Sequence, residues 1–470
     1  MLQPNFILIV ADDMGYGDFG VFSGGRVHTP NLDRMVDEGL CLTQHYSGSP
    51  VCSPARAALL TGRYPHRTGA LTPQEVRGMD RISVREQTMG DVFRAGGYAT
   101  GLIGKWHNGA LDDRYHPNAR GFDEFVGFRG GWMDYWDWWI ERNGTREWGD
   151  GRYLTDVFTA EAVDFVRRHQ THPFLLVLTY NAPHSPLHAP DEVTARYKVA
   201  GHSESVAMTY AMIEQMDHGV GNILEELDTL GLAENTFISF SSDNGPAVRL
   251  RADQVPEGVS VDTGRPNAGL RGAKGSVYEG GIRVPWIARW PAGLSPAESS
   301  QLFHFTDWLP TLSAYAGIEI PDNGLPLDGE DIRSRLTSEW TDDRVRFWQL
   351  NGWDPIYTLN AAMRDGDWKL VRPAVPLQAA DERSQAAMDR YVEMDIRYKY
   401  HPDEVTELMD DPPPEIVVPD PLPAELYNVA DDPFEETDLA DAEPDRVSTM
   451  LSALEAWAEE IEHDRRQARP

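Results

Sequence analysis

Four short apolar runs in the chain show no alternation, and each is followed at once by polar residues or glycine. Phe6-Ile-Leu-Ile-Val10 leads into Asp12-Asp13, and Tyr98 to Ile103 leads into Gly104-Lys105-Trp106-His107. Phe174-Leu-Leu-Val-Leu178 leads into Asn181-Ala-Pro-His184, and Phe237-Ile-Ser-Phe240 leads into Asp243-Asn244-Gly245. Strands buried on both faces of a parallel sheet have this pattern. Helical patterns lie between them. The clearest covers 203–230, where Val206, Tyr210, Ile213, Val220, Leu224 and Leu227 share one face and Gly231 supplies the stop. Asp217 also falls on that face and is expected to be a buried, hydrogen-bonded carboxylate.

Alternating strands and helices predict right-handed crossovers and an α/β fold whose sheet is covered on both sides. Ligands of such sheets bind beyond the carboxyl ends of the strands. Four separate strands should therefore deliver Asp, Lys, His and Asn side chains to one edge. Taken singly, Asp12-Asp13 and Asp243-Asn244-Gly245 are also ordinary turn sequences, and Lys105 or His107 an ordinary surface or core residue. Their joint arrival at four strand ends is what points to a site.

The texture changes after about residue 340. Residues 401–425 are rich in proline and acid, with Pro412-Pro-Pro414 inside them, and read as an irregular surface excursion. Met363 to Val371 reads as a hairpin around Asp365-Gly366. Two domains are expected: 1–345 as the catalytic unit and 346–470 as a smaller α+β unit with an antiparallel sheet.

Composition narrows the function. The 470 residues include 75 acidic against 42 basic side chains, a net charge of −33. That balance excludes a phosphate-neutralising nucleic-acid binder and a polybasic membrane anchor. No apolar run approaches the roughly 20 residues that span a bilayer. The chain is expected to be cytoplasmic if Met1 is its native start, and periplasmic or secreted if an export signal was removed. Cys41 and Cys52 are the only cysteines, so a disulfide framework is excluded.

Cys52 lies in Val51-Cys-Ser-Pro-Ala-Arg-Ala-Ala-Leu-Leu-Thr-Gly62. Ser53 is a suitable N-cap, Pro54 a suitable first helical residue and Gly62 a stop, which places Cys52 just ahead of a helix N-terminus that favours anions. From position alone it reads equally as a small buried thiol. Asp12, Asp13, Asp243 and Asn244 offer only oxygen, which suits a hard cation, Ca²⁺ or Mg²⁺, and not zinc. Trp132 to Trp139 reads as a stacking surface at a pocket rim or as lid packing.

Cys52-Ser-Pro-Ala-Arg56 followed by Leu59-Leu-Thr-Gly62 resembles the Cys-x-Pro-x-Arg…Leu-x-Thr-Gly signature of the sulfatase family. The resemblance extends in family order through Asp12 to Gly17, Gly104 to His107, Ala182 to His184, Ser242 to Gly245 and Leu270 to Lys274, and on to Arg364 to Leu370 and Glu425 to Pro433. It implies an alkaline phosphatase-like fold: a large mixed, mostly parallel sheet between helices, with a smaller C-terminal domain. It also implies conversion of Cys52 to formylglycine by a maturation enzyme, and hydrolysis of a sulfate monoester through a gem-diol and a covalent sulfoenzyme intermediate. The diol supplies one oxygen to attack and a second whose deprotonation expels the product.

By the same resemblance, Ca²⁺, with Mg²⁺ as the alternative, is held by Asp12, Asp13, Asp243, Asn244 and residue 52. Arg56 fixes the diol, and Lys105 and Lys274 hold the sulfate oxygens. His184 with Lys274 assists departure of the alcohol, and His107 takes the proton from the remaining hydroxyl as sulfate leaves. The expected partner is a sulfated small molecule or saccharide. Two rivals stand beside this reading: a phosphonate or phosphate ester hydrolase on the same scaffold, and an unmodified binding protein. Two departures from the family pattern are Asn108 after the Lys-x-His motif, and no evident hydrogen-bonding side chain near position 130.

Overall fold

The computed structural model describes residues 3–336 and 344–468. Segment 337–343, just ahead of the expected domain boundary, lies outside the described residues.

The main sheet has ten strands: β1 (Asn5–Ala11), β2 (Leu40–Leu42), β3 (Ala99–Lys105), β4 (Glu124–Phe128), β5 (Trp139–Arg142), β6 (Thr145–Trp148), β7 (Phe174–Thr179), β8 (Thr236–Ser242), β9 (Trp286–Arg289) and β10 (Ala297–Ser299). Their order is β10-β2-β9-β8-β1-β7-β3-β4-β5-β6. The four strands anticipated from the apolar runs are the central neighbours β8-β1-β7-β3. They are mutually parallel, with Ile9 level with Leu178 on one side and Phe240 on the other. Antiparallel pairings occur only toward the flanks, at β9 and β5-β6.

Period-two geometry explains why β1 has no polar face. Ile7 and Ile9 point into a core with Leu176, Leu178, Phe158 and Val220, whereas Phe6, Leu8 and Val10 point into one with Leu175, Val177, Ala57 and Trp308. The first layer is built by α3 (Leu154–His169) and α4 (Glu204–Thr229), the second by α2 (Cys52–Thr61) and α5 (Trp308–Ala316). Truncating Leu8 or Ile9 to alanine in so close a layer costs about 2–5 kcal/mol.

Helix α4 matches its sequence reading, with its apolar face buried and Gly231 left-handed at φ 68° just past its end. Asp217 is buried and accepts from the backbone amides of Asn31 and Leu32, and so caps the first turn of α1 (Pro30–Glu38). One expectation is corrected. Helix α2 begins at Cys52 with Val51 as N-cap, so Ser53 is not the cap. Its hydroxyl instead donates to the Asp80 carbonyl at 3.0 Å, a tertiary partner, and the helix starts two residues earlier than expected.

A second sheet, all antiparallel, contains β11 (Val345–Gln349), β12 (Ala361–Asp365), β13 (Trp368–Arg372) and β14 (Glu425–Asn428), in that order. The anticipated hairpin is β12-β13, turning at Gly366 with φ 54°. Ala361, Met363, Leu370 and Leu426 face α7 (Pro444–Ala468), and Ala362, Val371 and Tyr427 face Tyr46 and Ile282 of the main body. Segment 401–425 is largely irregular, holding a short turn at Pro402–Glu404 and two residues, Ile416–Val417, paired with Gln378–Ala379. Just before it runs α6 (Glu382–Tyr400), a helix the sequence reading did not anticipate. Among the described residues no helix is long and apolar enough to cross a membrane.

Candidate active site

The carboxyl ends of β1, β3, β7 and β8 release Asp12-Asp13, Lys105-Trp106-His107, Asn181 to His184 and Asp243-Asn244 at one edge of the sheet. Helix α2 presents Cys52 to the same edge. The structure thus brings together all ten residues singled out from the sequence: Asp12, Asp13, Cys52, Arg56, Lys105, His107, His184, Asp243, Asn244 and Lys274. All but Lys274 are buried.

Three carboxylates meet three cations one to one. Lys105 Nζ donates to Asp12 Oδ2 at 2.6 Å, Lys274 Nζ to Asp13 Oδ2 at 2.8 Å, and Arg56 Nε to Asp243 Oδ2 at 2.9 Å. Arg56 Nη1 also donates to the Lys105 carbonyl at 3.1 Å, tying α2 to β3. Asn108 does similar work. Buried, it donates to the carbonyls of Ser53 at 3.0 Å and Asp80 at 3.2 Å.

The electrostatics of these groups are strongly perturbed. Burial alone would suppress ionisation of Cys52, but Lys105 and Lys274, with hydrogen bonds from His107 and His184, pull its thiol well below the ordinary range. Burial and Lys105 push His107 down to about 4. Burial and Lys274 oppose protonation of His184, yet Asp12 and Asp13 outweigh them and raise it. Asp243 is raised to about 6 by burial and by neighbouring Asp12.

The donor set fits a hard cation. Asp12 Oδ1 and Asn244 Oδ1 are buried with no hydrogen-bond partner, a costly state for two oxygens that a cation would relieve. Ligand atoms of Asp12, Asp13, Cys52 and His184 lie within 4.8 Å of one another, so they too could reach one ion. Asp13 and His107 both hold left-handed backbone conformations, φ 67° and 53°, which places strain where the side chains converge.

Three features escaped the sequence reading. Glu75 lies 3.5 Å from His107, Lys399 of α6 pairs with Glu75, and Gly130-Gly131 leaves the space that pair occupies. No motif or period marks them, because they meet only through the path of α6. The tryptophan stretch turns out to pack against that helix. Trp132 Nε1 donates to Asp395 at 3.0 Å and Trp139 Nε1 to the Lys399 carbonyl at 2.7 Å, leaving Trp136 exposed.

A parallel-centred α/β sheet with oxygen donors, paired cations and an activated residue at its strand ends is the architecture of a hydrolase site built to hold an anionic group. The chain belongs to the sulfatase family, whose model matches residues 4–318, and is a sulfuric ester hydrolase. N-acetylgalactosamine-6-sulfatase of Homo sapiens is 34% identical over 374 residues, covering 73% of this chain and 68% of that protein. Steryl-sulfatase of Mus musculus is 33% identical over 429 residues, covering 72% of this chain and 65% of that protein. The solved structure of Ps i-CgsB in complex with k-i-k-neocarrahexaose superposes with a TM-score of 0.78 at 28% identity, covering 97% of this chain and 93% of that one. A phosphonate monoester hydrolase from Silicibacter pomeroyi shares the fold at a TM-score of 0.58 and 20% identity, covering 84% and 95%.

Proposed function

We propose that this chain hydrolyses a carbohydrate sulfate monoester, with residue 52 acting as formylglycine and Ca²⁺ held by Asp12, Asp13, Asp243 and Asn244. The observation that carries the reading is the placement of Cys52. It is buried in the first turn of α2, with Lys105, Lys274, His107 and His184 all acting on its side chain. A saccharide is favoured because the Ps i-CgsB match spans nearly all of both chains and that protein was solved with a neocarrahexaose.

Formylglycine would supply a gem-diol nucleophile, and Ca²⁺ would supply charge to the reacting oxygens. The remaining work belongs to side chains in view. Arg56 holds Asp243 and the end of β3 in register, so that the oxygen of residue 52 is aimed and not free to turn. Lys105 and Lys274 neutralise the sulfate oxygens. His184, with Nδ1 engaged by the Ser185 carbonyl at 2.6 Å, presents Nε2 to the departing alcohol. His107 serves as the base that removes a proton at residue 52. Since Cys52 is about as buried as a residue can be, its maturation enzyme would have to reach it before this fold closes.

The test compares kcat/KM on 4-nitrophenyl sulfate, phosphate and phosphonate, then on sulfated sugars and steryl sulfates. Mass spectrometry of the peptide spanning residue 52 accompanies it. The reading expects sulfate turnover, preference for a sugar, and a mass about 18 Da below that of the cysteine peptide. Preference for a phosphorus ester, or turnover with an intact thiol, overturns it.

A further inference from the structure

Behind His107 lies a buried ion pair that the motif set does not explain. Glu75 Oε2 is 3.5 Å from His107 Nε2, and the side chain is 1% exposed. Its partner is Lys399 of α6, equally buried. The same Nε2 is 3.1 Å from the Pro73 carbonyl oxygen. Both neighbours of Nε2 accept and neither donates, so that nitrogen carries the hydrogen of the neutral ring. Nδ1 is buried, has no other hydrogen-bond partner and is the nitrogen left to act on the side chain of residue 52.

The surrounding backbone is shaped to this arrangement. A Cβ at Gly131 would lie 2.7 Å from His107 Cε1 and 2.9 Å from Glu75 Oε2, and one at Gly130 would lie 2.8 Å from Glu75 Oε1. A side chain at Gly131 would crowd the His107 ring and Glu75 together, and one at Gly130 would crowd Glu75 and Lys399. With φ at 53°, His107 has no local reason to sit as it does, so its place is set by what packs on it.

We infer that Glu75, packed against Lys399 of α6, is a positioning residue that fixes His107 in its Nε2–H tautomer and leaves Nδ1 as the base toward residue 52. The inference rests on the role of His107 proposed above. A buried carboxylate beside Nε2 favours hydrogen on that atom. When Nδ1 takes a proton, the imidazolium keeps its Nε2–H on Pro73 and faces the negative charge of Glu75; no proton need pass to the glutamate. Lys399 packs on the other carboxylate oxygen of Glu75, leaving Oε2 to face His107. Helix α6, outside the segment that the family model matches, thereby supports the catalytic base.

Nitrogen-15 NMR of the full-length protein, labelled at histidine and otherwise wild type but with Cys52→Ala removing the thiolate that would draw hydrogen to Nδ1, tests the tautomer without any turnover. Loss of the signals in His107→Asn assigns them. The Cys52→Ala protein should show His107 as Nε2–H. Replacing Glu75 alone would strand a buried ammonium, so the pair is removed together in Glu75→Leu/Lys399→Met. In the matured enzyme that variant should fold, weaken the tautomer preference to what the Pro73 carbonyl alone supports and drop kcat by roughly 10–100-fold with KM within about threefold. Glu75→Gln/Lys399→Met keeps an acceptor beside Nε2 without stranding the lysine and should restore the tautomer and most of kcat. An Nδ1–H tautomer in the Cys52→Ala protein overturns the inference. So does a folded Glu75→Leu/Lys399→Met variant with unchanged nitrogen shifts and kcat. If the tautomer is as stated but sulfate esters are not turned over, the role of residue 52 falls and this assignment stands.

Discussion

Arg56→Lys keeps a positive charge while removing the fork that carries it. The guanidinium places Nε and Nη2 each 2.9 Å from Asp243 Oδ2, and Nη1 3.1 Å from the Lys105 carbonyl oxygen. A lysine ammonium on a flexible stem can satisfy one of these three contacts, and it cannot span from Asp243 to β3. One lost bond to a carboxylate and one to a carbonyl amount to about 2–4 kcal/mol. Expressed in the transition state, that is a fall in kcat of roughly 30- to 1,000-fold. Because Arg56 also belongs to the Cys52 signature, the variant must be compared with wild type at equal conversion of residue 52, measured on the same preparation by peptide mass. The assay is kcat and KM on 4-nitrophenyl sulfate, with the melting temperature followed alongside. A fully converted Arg56→Lys enzyme with kcat within about threefold of wild type would falsify the argument that the fork aims the Asp243 side of the site.

Three further outcomes follow from the geometry. Cys52→Ala should abolish hydrolysis and leave the circular dichroism spectrum unchanged, because the side chain caps nothing; residual activity in a clean preparation refutes the nucleophile. Exhaustive chelation should lower both activity and melting temperature, since a ligand of the native state adds stability in proportion to the logarithm of its concentration over Kd; no change in either removes the metal. Asp80 is fully buried and its carboxyl is pushed up to about 7, burial outweighing Arg81 and the Gly109 amide. Its folded form holds the proton more tightly than the unfolded chain, so its contribution to stability is present at low pH and lost as pH rises from about 4 to about 7. Asp80→Asn should therefore gain roughly 2–3 kcal/mol relative to wild type between pH 5 and pH 8 in urea unfolding, and parallel curves would refute this.

The sheet and the site were legible for a local reason. Phe6 to Val10 is apolar at every position because β1 is buried on both faces, and the chemistry begins at Asp12, where burial by neighbouring strands ends. Strand ends therefore announce themselves in sequence. Helix α6 does not. Its residues at the site, Asp395 and Lys399, are polar side chains on an otherwise mixed surface pattern, and their burial is decided by Trp132 and Glu75 from distant segments. The cap of α2 was misplaced for the same reason, since Ser53 was judged by its own neighbours while Asp80 took its hydroxyl. Gly130-Gly131 looked like a missing sulfate-binding side chain; in the fold it is the clearance for Glu75 and Lys399 beside His107.

The overall charge of −33 and the binding of an anion are reconciled within a few ångströms. Lys105 pairs with Asp12, Lys274 with Asp13, and Arg56 with Asp243 and, at 3.9 Å, with Asp12, so three cations stand against three carboxylates. A sulfate monoester entering such a site must compete with Asp12 for Lys105 and with Asp13 for Lys274. A dication bound to the same carboxylates changes that competition, because Asp12 and Asp13 then have another partner and both lysines can turn to the sulfate oxygens. On this argument metal and substrate bind with positive coupling, and chelation should raise KM as well as lower kcat. A KM unchanged by partial chelation would mean that the lysines reach the sulfate without being released.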